Sequence, residues 1–393
     1  MRLNEGLFIY KKTKEGEKNL EQLLMGIKNL TLPSIGMFIV GGFLIYLAIK
    51  KDFEPMLLLP IGFGAILTNL PVIEGIPGIA SPEGVLGILK SAGITTELFP
   101  ALIFIAVGAM IDFEPLLKMP SMLFFGAAAQ FGIFMTLLLA LGLGFDINDA
   151  AAIGIIGAAD GPTSIFVANK FSPNYFGAIS VAAYSYMALV PLIQPPVIKL
   201  LTTKKERMIR MEYKDVKISK TVKILFPILV TIVAGIIAPI SVTLVGLLMF
   251  GNLIRESGVL ERLSKSAQNE LANLVTLLLG ITIGSTMHAE EFLKLETLMI
   301  LGLGLIAFIF DTAGGVLFAK LLNLFVKKKY NPMVGAAGIS AFPMSARVIQ
   351  RLAKEEDPTN FILMQAVSAN VAGQIGSIIA GSVIVALLSR GGF

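Results

Sequence analysis

The sequence predicts an all-α polytopic membrane protein of two internally repeated helical halves, each carrying a discontinuous helix or re-entrant element, as in transporters. Three observations carry this: an excess of apolar residues, a set of long uncharged runs, and a chain that resembles itself. Of 393 residues 55% are hydrophobic and 15% charged, with a mean hydropathy of +0.80, whereas soluble domains carry about a quarter charged residues. Crossing about 30 Å of hydrocarbon takes about 20 mostly apolar residues in a helix. The runs 121–145, 171–198, 224–254 and 360–389 contain no charged residue. Such runs are too long and too frequent for the core of a soluble protein.

From the N-terminus, residues 1–33 read as a cytosolic, partly amphipathic leader without a signal-peptide pattern, since the first uncharged apolar run starts only near Leu30. Residues 34–200 form a first membrane repeat, 201–221 a basic loop and 222–393 a second membrane repeat. Twelve hydrophobic blocks fall between positions 34 and 389, from which nine to twelve membrane elements are expected. Pro239 marks either a turn between two spans or a kink in one. The net charge of +5 follows loops, not a nucleic-acid face: the basic residues gather in 1–33, in 202–220 and at Lys327, Lys328 and Lys329. In 202–220, Lys204, Lys205, Arg207, Arg210, Lys214, Lys217 and Lys220 outnumber Glu206, Glu212 and Asp215, which places the loop in the cytoplasm by the positive-inside rule. With no cysteine, disulfides, thiol catalysis and Cys-ligated metal sites are excluded.

The halves show as matched segments. Glu83-Gly84-Val85-Leu86, Lys90-Ser91-Ala92, Gly108 and Leu117-Lys118 match Ser257-Gly258-Val259-Leu260, Lys265-Ser266-Ala267, Gly284 and Leu293-Lys294 at separations of 174 to 176. Gly157, Pro162 and Ser164 match Gly338, Pro343 and Ser345 at a constant 181. Duplication of this kind is the plan of secondary transporters, whose site lies between the halves. Counting blocks with the positive-inside rule puts Lys327 to Lys329 and the 202–220 loop on one side, which suggests parallel halves. Transporter precedent and a non-crossing hairpin at 150–170 suggest inversion, which is the reading taken here.

The stretch Gly157-Ala158-Ala159-Asp160-Gly161-Pro162-Thr163-Ser164 cannot be a continuous helix, because proline removes a donor and clashes with the preceding turn. Pro162 suits the first position of a new helix, with Asp160 or Gly161 near its cap. Gly338-Ile339-Ser340-Ala341-Phe342-Pro343 breaks the second copy in the same way. Unwound backbone at membrane depth must be buried in protein or line a wet cavity. A helix cap would explain Asp160 in a soluble protein, but a carboxylate amid an apolar block costs about 2.5 to 3.5 kcal/mol even on the mild insertion scale, which points to function.

Asn331, Gly335, Ser340 and Arg347 cluster around the second break. Asn331-Pro332 reads as a cap with the first helical residue, Asn331 and Gly335 share a helical face, and Ser340 and Gly335 have packing readings beside their functional ones. Arg347, four residues past Pro343, either binds a carboxylate or snorkels to an interface. Tyr186 and Asn370 lie in uncharged runs at an offset of 184, which pairs them across the halves. His288, the sole histidine, sits beside Glu290 and Glu291 as a solvated helix end. For Asp112 and Asp311, helix-end loop and buried partner are both open.

The segment Gly157 to Lys170 (GAADGPTSIFVANK), followed by Ser180 to Pro196 (SVAAYSYMALVPLIQPP), resembles the beta subunits of the biotin-dependent, sodium-translocating oxaloacetate, glutaconyl-CoA and methylmalonyl-CoA decarboxylases. The resemblance runs from about residue 30 to the end. It implies a multi-pass subunit of a prokaryotic plasma membrane that takes carboxybiotin from a cytoplasmic biotin carrier protein, releases CO2, and couples this to Na+ export with a proton consumed. It implies as partners a carboxyltransferase subunit, the carrier, a small membrane-anchor subunit and other copies of this chain, with membrane lipid around them. Carried over residue by residue, Asp160, Tyr186 and Arg347 are catalytic, Arg347, Ser340 and Gly335 face the biotin group, and Asp160, Asn331, Ser340 and Asn370 face sodium. Independently of the family, decarboxylating carboxybiotin needs only a place where the carboxylate is held, desolvated and given a proton. The competing readings are a sodium-coupled carrier or antiporter without chemistry, and a purely structural subunit, against which the intramembrane Asp160 and the doubled breaks argue.

Overall fold

The structure is a computed structural model and describes residues 26, 28–72, 77–213, 216–237 and 239–390. Most of the leader, residues 1–25 and 27, lies outside the described residues, as do Lys214 and Asp215 of the basic loop. Regular structure among the described residues is helical throughout. Helix α1, Leu32–Lys51, starts where the Thr31 hydroxyl accepts from the Ser34 N–H at 3.2 Å, and ends with Asp52 in the left-handed region. It turns back into α2, Pro55–Thr68, and the two cross so closely at Gly41 and Gly62 that a Cβ on either would sit 2.6 Å from the other's carbonyl oxygen. Small residues at such crossings are how membrane helices pack without a hydrophobic driving force. The chain continues through α3 (Leu98–Met110), α4 (Leu123–Ala128), α5 (Phe131–Gly142), α6 (Ile147–Gly154), α7 (Gly161–Phe171), α8 (Phe176–Ala188) and α9 (Val190–Leu201). Beyond the basic loop follow α10 (Lys220–Ile237), α11 (Val242–Ser257), α12 (Ala272–Gly284), α13 (Leu295–Phe325), α14 (Met333–Ala336), α15 (Met344–Glu356) and α16 (Leu363–Arg390).

Four described helices are long and apolar enough to cross a bilayer, Leu32–Lys51, Pro120–Gly142, Leu295–Phe325 and Leu363–Ser389, or six if two bent pairs each count as a span. That is fewer than the nine to twelve elements expected from the apolar blocks. Proline and glycine divide the remaining blocks into shorter pieces such as Pro55–Thr68 and Ile147–Ala158. The bent pairs, Val85–Thr95 with Leu98–Met110 at 60° and Pro173–Ala188 with Val190–Leu201 at 69°, lie elsewhere than the two predicted breaks. Pro239 opens a 3-10 turn between α10 and α11, which fold back on each other with Gly235 against Val242, so it marks a turn and not a kink.

Helix α13 has 31 residues, about 46 Å at about 1.5 Å per residue, and its ends define the two faces of the bundle. At its start, Leu293 packs on Gly36 of α1, while Asn69, just past α2, bonds the Met287 carbonyl at 2.7 Å and the Ala289 N–H at 2.8 Å. Near its other end, Lys320 bonds the Leu201 carbonyl at 3.0 Å and pairs with Glu206 at 3.1 Å, and Lys328 pairs with Glu212 at 2.9 Å. The basic loop and Lys327–Lys329 therefore share one face, as block counting suggests. The loop is clamped there by Arg207 on Glu356 at 2.6 Å and Arg210 on Asp357 at 2.7 Å. The Thr359 hydroxyl and the Arg210 guanidinium hold the half-buried Asp357 carboxyl down to about 2, so the clamp's contribution is present above the ordinary value of 3.8 and is lost as pH falls toward the depressed one.

The start of α1 lies on the opposite face, beside Leu293 and Val72. The parallel reading of the halves rests on Lys327–Lys329 and the 202–220 loop sharing a side, which they do, so that shared side does not by itself decide between parallel and inverted halves. The matched segments also make reciprocal contacts. Gly108 of α3 lies against the Leu248 backbone and Gly251 of α11 against that of Ile105, while Gly284 of α12 lies against the Ile61 backbone and Gly64 of α2 against that of Ile281. Helices α2 and α12 run toward the Asn69 face, whereas α3 and α11 run toward the basic-loop face, where Arg255 bonds the Met110 carbonyl at 2.8 Å.

Candidate functional site

The first break forms as its backbone chemistry requires. Helix α6, capped by Asp146 on the N–H groups of Asn148 and Asp149, runs into a 3-10 turn at Ile155–Ala158. Ala159 then takes a left-handed conformation, φ 51° and ψ 41°, Asp160 is extended, and α7 starts with Pro162 in its first turn. Asp160 is the cap of α7, but it is more than a cap. Its Oδ2 accepts from the Thr163 hydroxyl at 2.7 Å and from the Ser377 hydroxyl of α16 at 2.8 Å, and its Oδ1 accepts only a long bond of 3.4 Å from the Thr163 N–H.

The second break, between α14 and α15, lies against the first. The Ser340 N–H donates to the Ala158 carbonyl at 3.0 Å, across the two breaks. One face of α16 holds the second break in place. Asn370 donates to the Ile339 carbonyl at 2.6 Å, Gln374 to the Ser340 carbonyl, and the Gly373 carbonyl accepts from the Ser340 hydroxyl at 2.9 Å. Asn370, Gly373, Gln374 and Ser377 are spaced by three and four residues, so one helical stripe serves both breaks.

A cavity of about 330 Å³ lies here, lined among others by Asp160, Tyr184, Ser340, Gln374, Glu54 and Thr276. The Tyr184 ring packs on Gly161, where a Cβ would overlap it, and the buried Tyr184 hydroxyl has no hydrogen-bond partner. The exposed Met56 and Met110 lie on its wall, at the start of α2 and the end of α3, and both helix ends point toward the basic-loop face. Among the described residues no three His, Asp or Glu side chains cluster as a multivalent metal site. One buried carboxylate among neutral hydroxyl and carbonyl oxygens is a donor set of charge and hardness suited to a single monovalent cation or a proton.

The predicted site residues divide. Asp160 and Ser340 line the cavity, and Asn370 braces the second break with its Oδ1 left unpartnered. Tyr186 lies apart, its hydroxyl on the Leu301 carbonyl and its ring against Gly304 of α13. Residues two apart on a helix point about 200° away from each other, so α8 turns either Tyr184 or Tyr186 to Asp160, and it is Tyr184. Asn331, also away from the cavity, caps the Met333 N–H at 3.1 Å and donates to the Arg207 and Ile209 carbonyls at 2.8 and 2.9 Å, tying the basic loop to the second break. Gly335 packs face to face with Gly315 of α13. A side chain there would meet backbone, so Gly335→Val is expected to cost about 1 to 3 kcal/mol of stability, read as a lower midpoint of thermal unfolding in detergent. Gly302→Val, with no atom within 4 Å of the new Cβ, should leave that midpoint unchanged.

Arg347 is exposed on α15, one turn beyond the cavity-lining Met344. Arg351 and Lys354 continue its stripe toward the loop. Three charges in successive turns would be costly against hydrocarbon, about 2.5 to 3.5 kcal/mol each at mid-bilayer, so this face of α15 meets water. His288 is exposed before a short helix, and Asp112 is a loop residue accepting from the Glu114 N–H at 2.9 Å. Asp311 is a buried partner, accepting from the Ile133 N–H at 3.2 Å where α4 gives way to α5.

Tyr184, Thr163, Ser377 and Glu54 join the site without having been expected from the sequence. Spacing would have found Ser377, seven residues after Asn370 on one helical face.

Residues 33–388 match the family model described as Na+-transporting oxaloacetate decarboxylase beta subunit. The chain is similar to the methylmalonyl-CoA decarboxylase subunit beta of Veillonella parvula, 54% identical over 365 residues, covering 93% of this chain and 96% of that protein. It is similar to the glutaconyl-CoA decarboxylase subunit beta of Acidaminococcus fermentans, 52% identical over 363 residues, covering 92% and 95%. It is also similar to the oxaloacetate decarboxylase beta chain of Klebsiella pneumoniae, 45% identical over 418 residues, covering 92% and 96%.

Proposed function

The chain belongs to the family of Na+-transporting oxaloacetate decarboxylase beta subunits, and from this we propose that it is the membrane part of a sodium pump driven by decarboxylation of carboxybiotin. The observation that carries the reading is the meeting of two broken membrane elements at Asp160, in a cavity directed toward the face of the basic loop. A biotin carrier on the cytoplasmic side would present its carboxylated group at that face. A carboxyltransferase subunit would charge the carrier, and a small membrane anchor and further copies of this chain would complete the complex.

In this reading Asp160, Ser340 and Asn370 handle sodium, with Asp160 exchanging the cation for a proton. Arg347 holds the carboxylate of carboxybiotin. The N–CO2 bond of carboxybiotin breaks, CO2 leaves, and the ureido nitrogen takes the consumed proton. Asn331 acts by fastening the loop, Gly335 by close packing and Tyr186 by bracing α8 against α13. The reciprocal contacts and opposed directions of the matched helices support inverted halves, the arrangement that lets a central site alternate between two faces.

The test is to reconstitute the complex in inverted vesicles and follow CO2 release from the carboxylated carrier together with radioactive sodium uptake. Both should rise together with sodium. Sodium movement that needs no carboxylated carrier would instead identify a secondary carrier.

A further inference from the structure

Glu54 is a second carboxylate in the wall of the Asp160 cavity, and none of the packing or chemistry described above uses it. It stands at the head of α2, where its carbonyl accepts from the Leu57 and Leu58 N–H groups, but its carboxylate makes no capping bond and has no hydrogen-bond or ion-pair partner among the described residues. The turn that presents it holds Asp52 and Glu54 both in the left-handed region, at φ 56° and 38°. The neighbouring helix α12, packed along α2 at Gly280, contributes Asn273 and Thr276, an amide and a hydroxyl, to the same cavity. Tyr184, a residue 2% exposed, lies deeper, its buried and unpartnered hydroxyl within electrostatic reach of both Glu54 and Asp160.

The charge of this wall is one-sided. Its two ionisable acids are Glu54 and Asp160, and it contains no lysine or arginine. Arg347, the exposed cation near the second break, is not part of the lining. A low-dielectric cleft lined by one sign of charge concentrates ions of the opposite sign and repels its own. An anionic substrate is therefore disfavoured along the Glu54 wall, and a cation is favoured.

We propose that Glu54, with the side-chain oxygens of Asn273 and Thr276, forms an entry site that takes a sodium ion from the basic-loop face and passes it to Asp160. This rests on the sodium-pump reading and adds to it a path: the cation enters along α2 and α12, while the carboxylate is held on the α15 side. Glu54 is a positioning residue for the cation and takes no part in breaking the N–CO2 bond.

The experiment uses the complete complex, with CO2 release from the carboxylated carrier measured across a sodium series at low and high choline chloride. Glu54→Gln should raise the half-saturating sodium concentration about three- to tenfold at low ionic strength and leave the rate at saturating sodium intact, with the shift shrinking as salt screens the charge. Glu54→Asp should recover part of the shift. Thr276→Val, which changes no charge, should raise half-saturation at both ionic strengths. Sodium curves for Glu54→Gln and Thr276→Val that superimpose on wild type would overturn the proposal, as would a loss of maximal rate at unchanged half-saturation. If the wild-type complex itself shows no sodium activation, it is the pump reading that fails and not the placement of Glu54.

Discussion

Asp160→Asn is expected to abolish sodium-dependent decarboxylation of carboxybiotin and sodium uptake together, while the chain still inserts and assembles. The amide keeps the size of the carboxylate. Its oxygen can replace Oδ2 as acceptor for the Thr163 and Ser377 hydroxyls, bonds of 2.7 and 2.8 Å that tie α7 to α16. The fold around the break therefore survives. What is lost is the negative charge, and a neutral amide cannot balance a cation stripped of its water in a buried site. Asp160→Glu should retain partial activity at raised sodium, because the charge remains while its position shifts by one methylene. Both activities are measured in the same vesicles across a sodium series. If Asp160→Asn couples them at near wild-type sodium dependence, the carboxylate serves only as the cap of α7 and the ion is bound elsewhere.

The two breaks were legible in the sequence because they are local. Pro162 and Pro343 with their nearby glycines disfavour a continuous helix through local backbone chemistry, and Asp160 inside an apolar block signals its own cost. Which side chains complete the site is not local. Ser377 lies 217 residues from Asp160, and only the packing of α16 across both breaks brings it there. The repeat offset, which pairs it with Asn370, singles out Tyr186 in the sequence. The rotation of α8 about its axis decides between the two tyrosines, and that rotation is set by Gly161 and Gly304, each of which leaves room for one ring. Glu54 was hidden by its neighbours, since Lys50-Lys51-Asp52 beside it reads as an ordinary solvated turn.

Topology failed in part for a related reason. Hydropathy finds apolar blocks, but the number of crossings depends on which blocks are split by Pro and Gly into half-spans. α2 turns at Asn69 after 14 residues, and the block at 150–170 folds into two short helices that meet the second break. Counting each block as a crossing puts Lys327–Lys329 and the 202–220 loop on one side and so suggests parallel halves, but it cannot see that the matched helices α3 and α12 run in opposite directions. The contacts of Gly36, Asn69 and Lys320 place the start of α1 and the basic loop at opposite ends.

Arg347→Ala is expected to lower carboxybiotin turnover by about a hundredfold or more, the scale of losing a charge-assisted clamp on a reacting group, with half-saturating sodium unchanged. Arg347 begins a basic stripe that continues through Arg351 and Lys354 to the loop face, and it follows Met344 of the cavity wall by one helical turn. A carboxylate delivered from that face therefore meets its first strong partner at the edge of the cavity, one turn from Met344. A guanidinium offers two parallel donors to a carboxylate and holds it in one plane, whereas an ammonium offers a point charge. Arg347→Lys should for that reason recover only part of the rate. Because Arg347 does not line the cavity that holds Asp160, its removal should not change how tightly sodium is held. Turnover of carboxylated carrier and the sodium activation curve, measured on the same preparation, separate the outcomes. An equal loss of turnover and sodium affinity would place Arg347 in the ion site or the fold, and no loss in either would mean that it only extends to the interface.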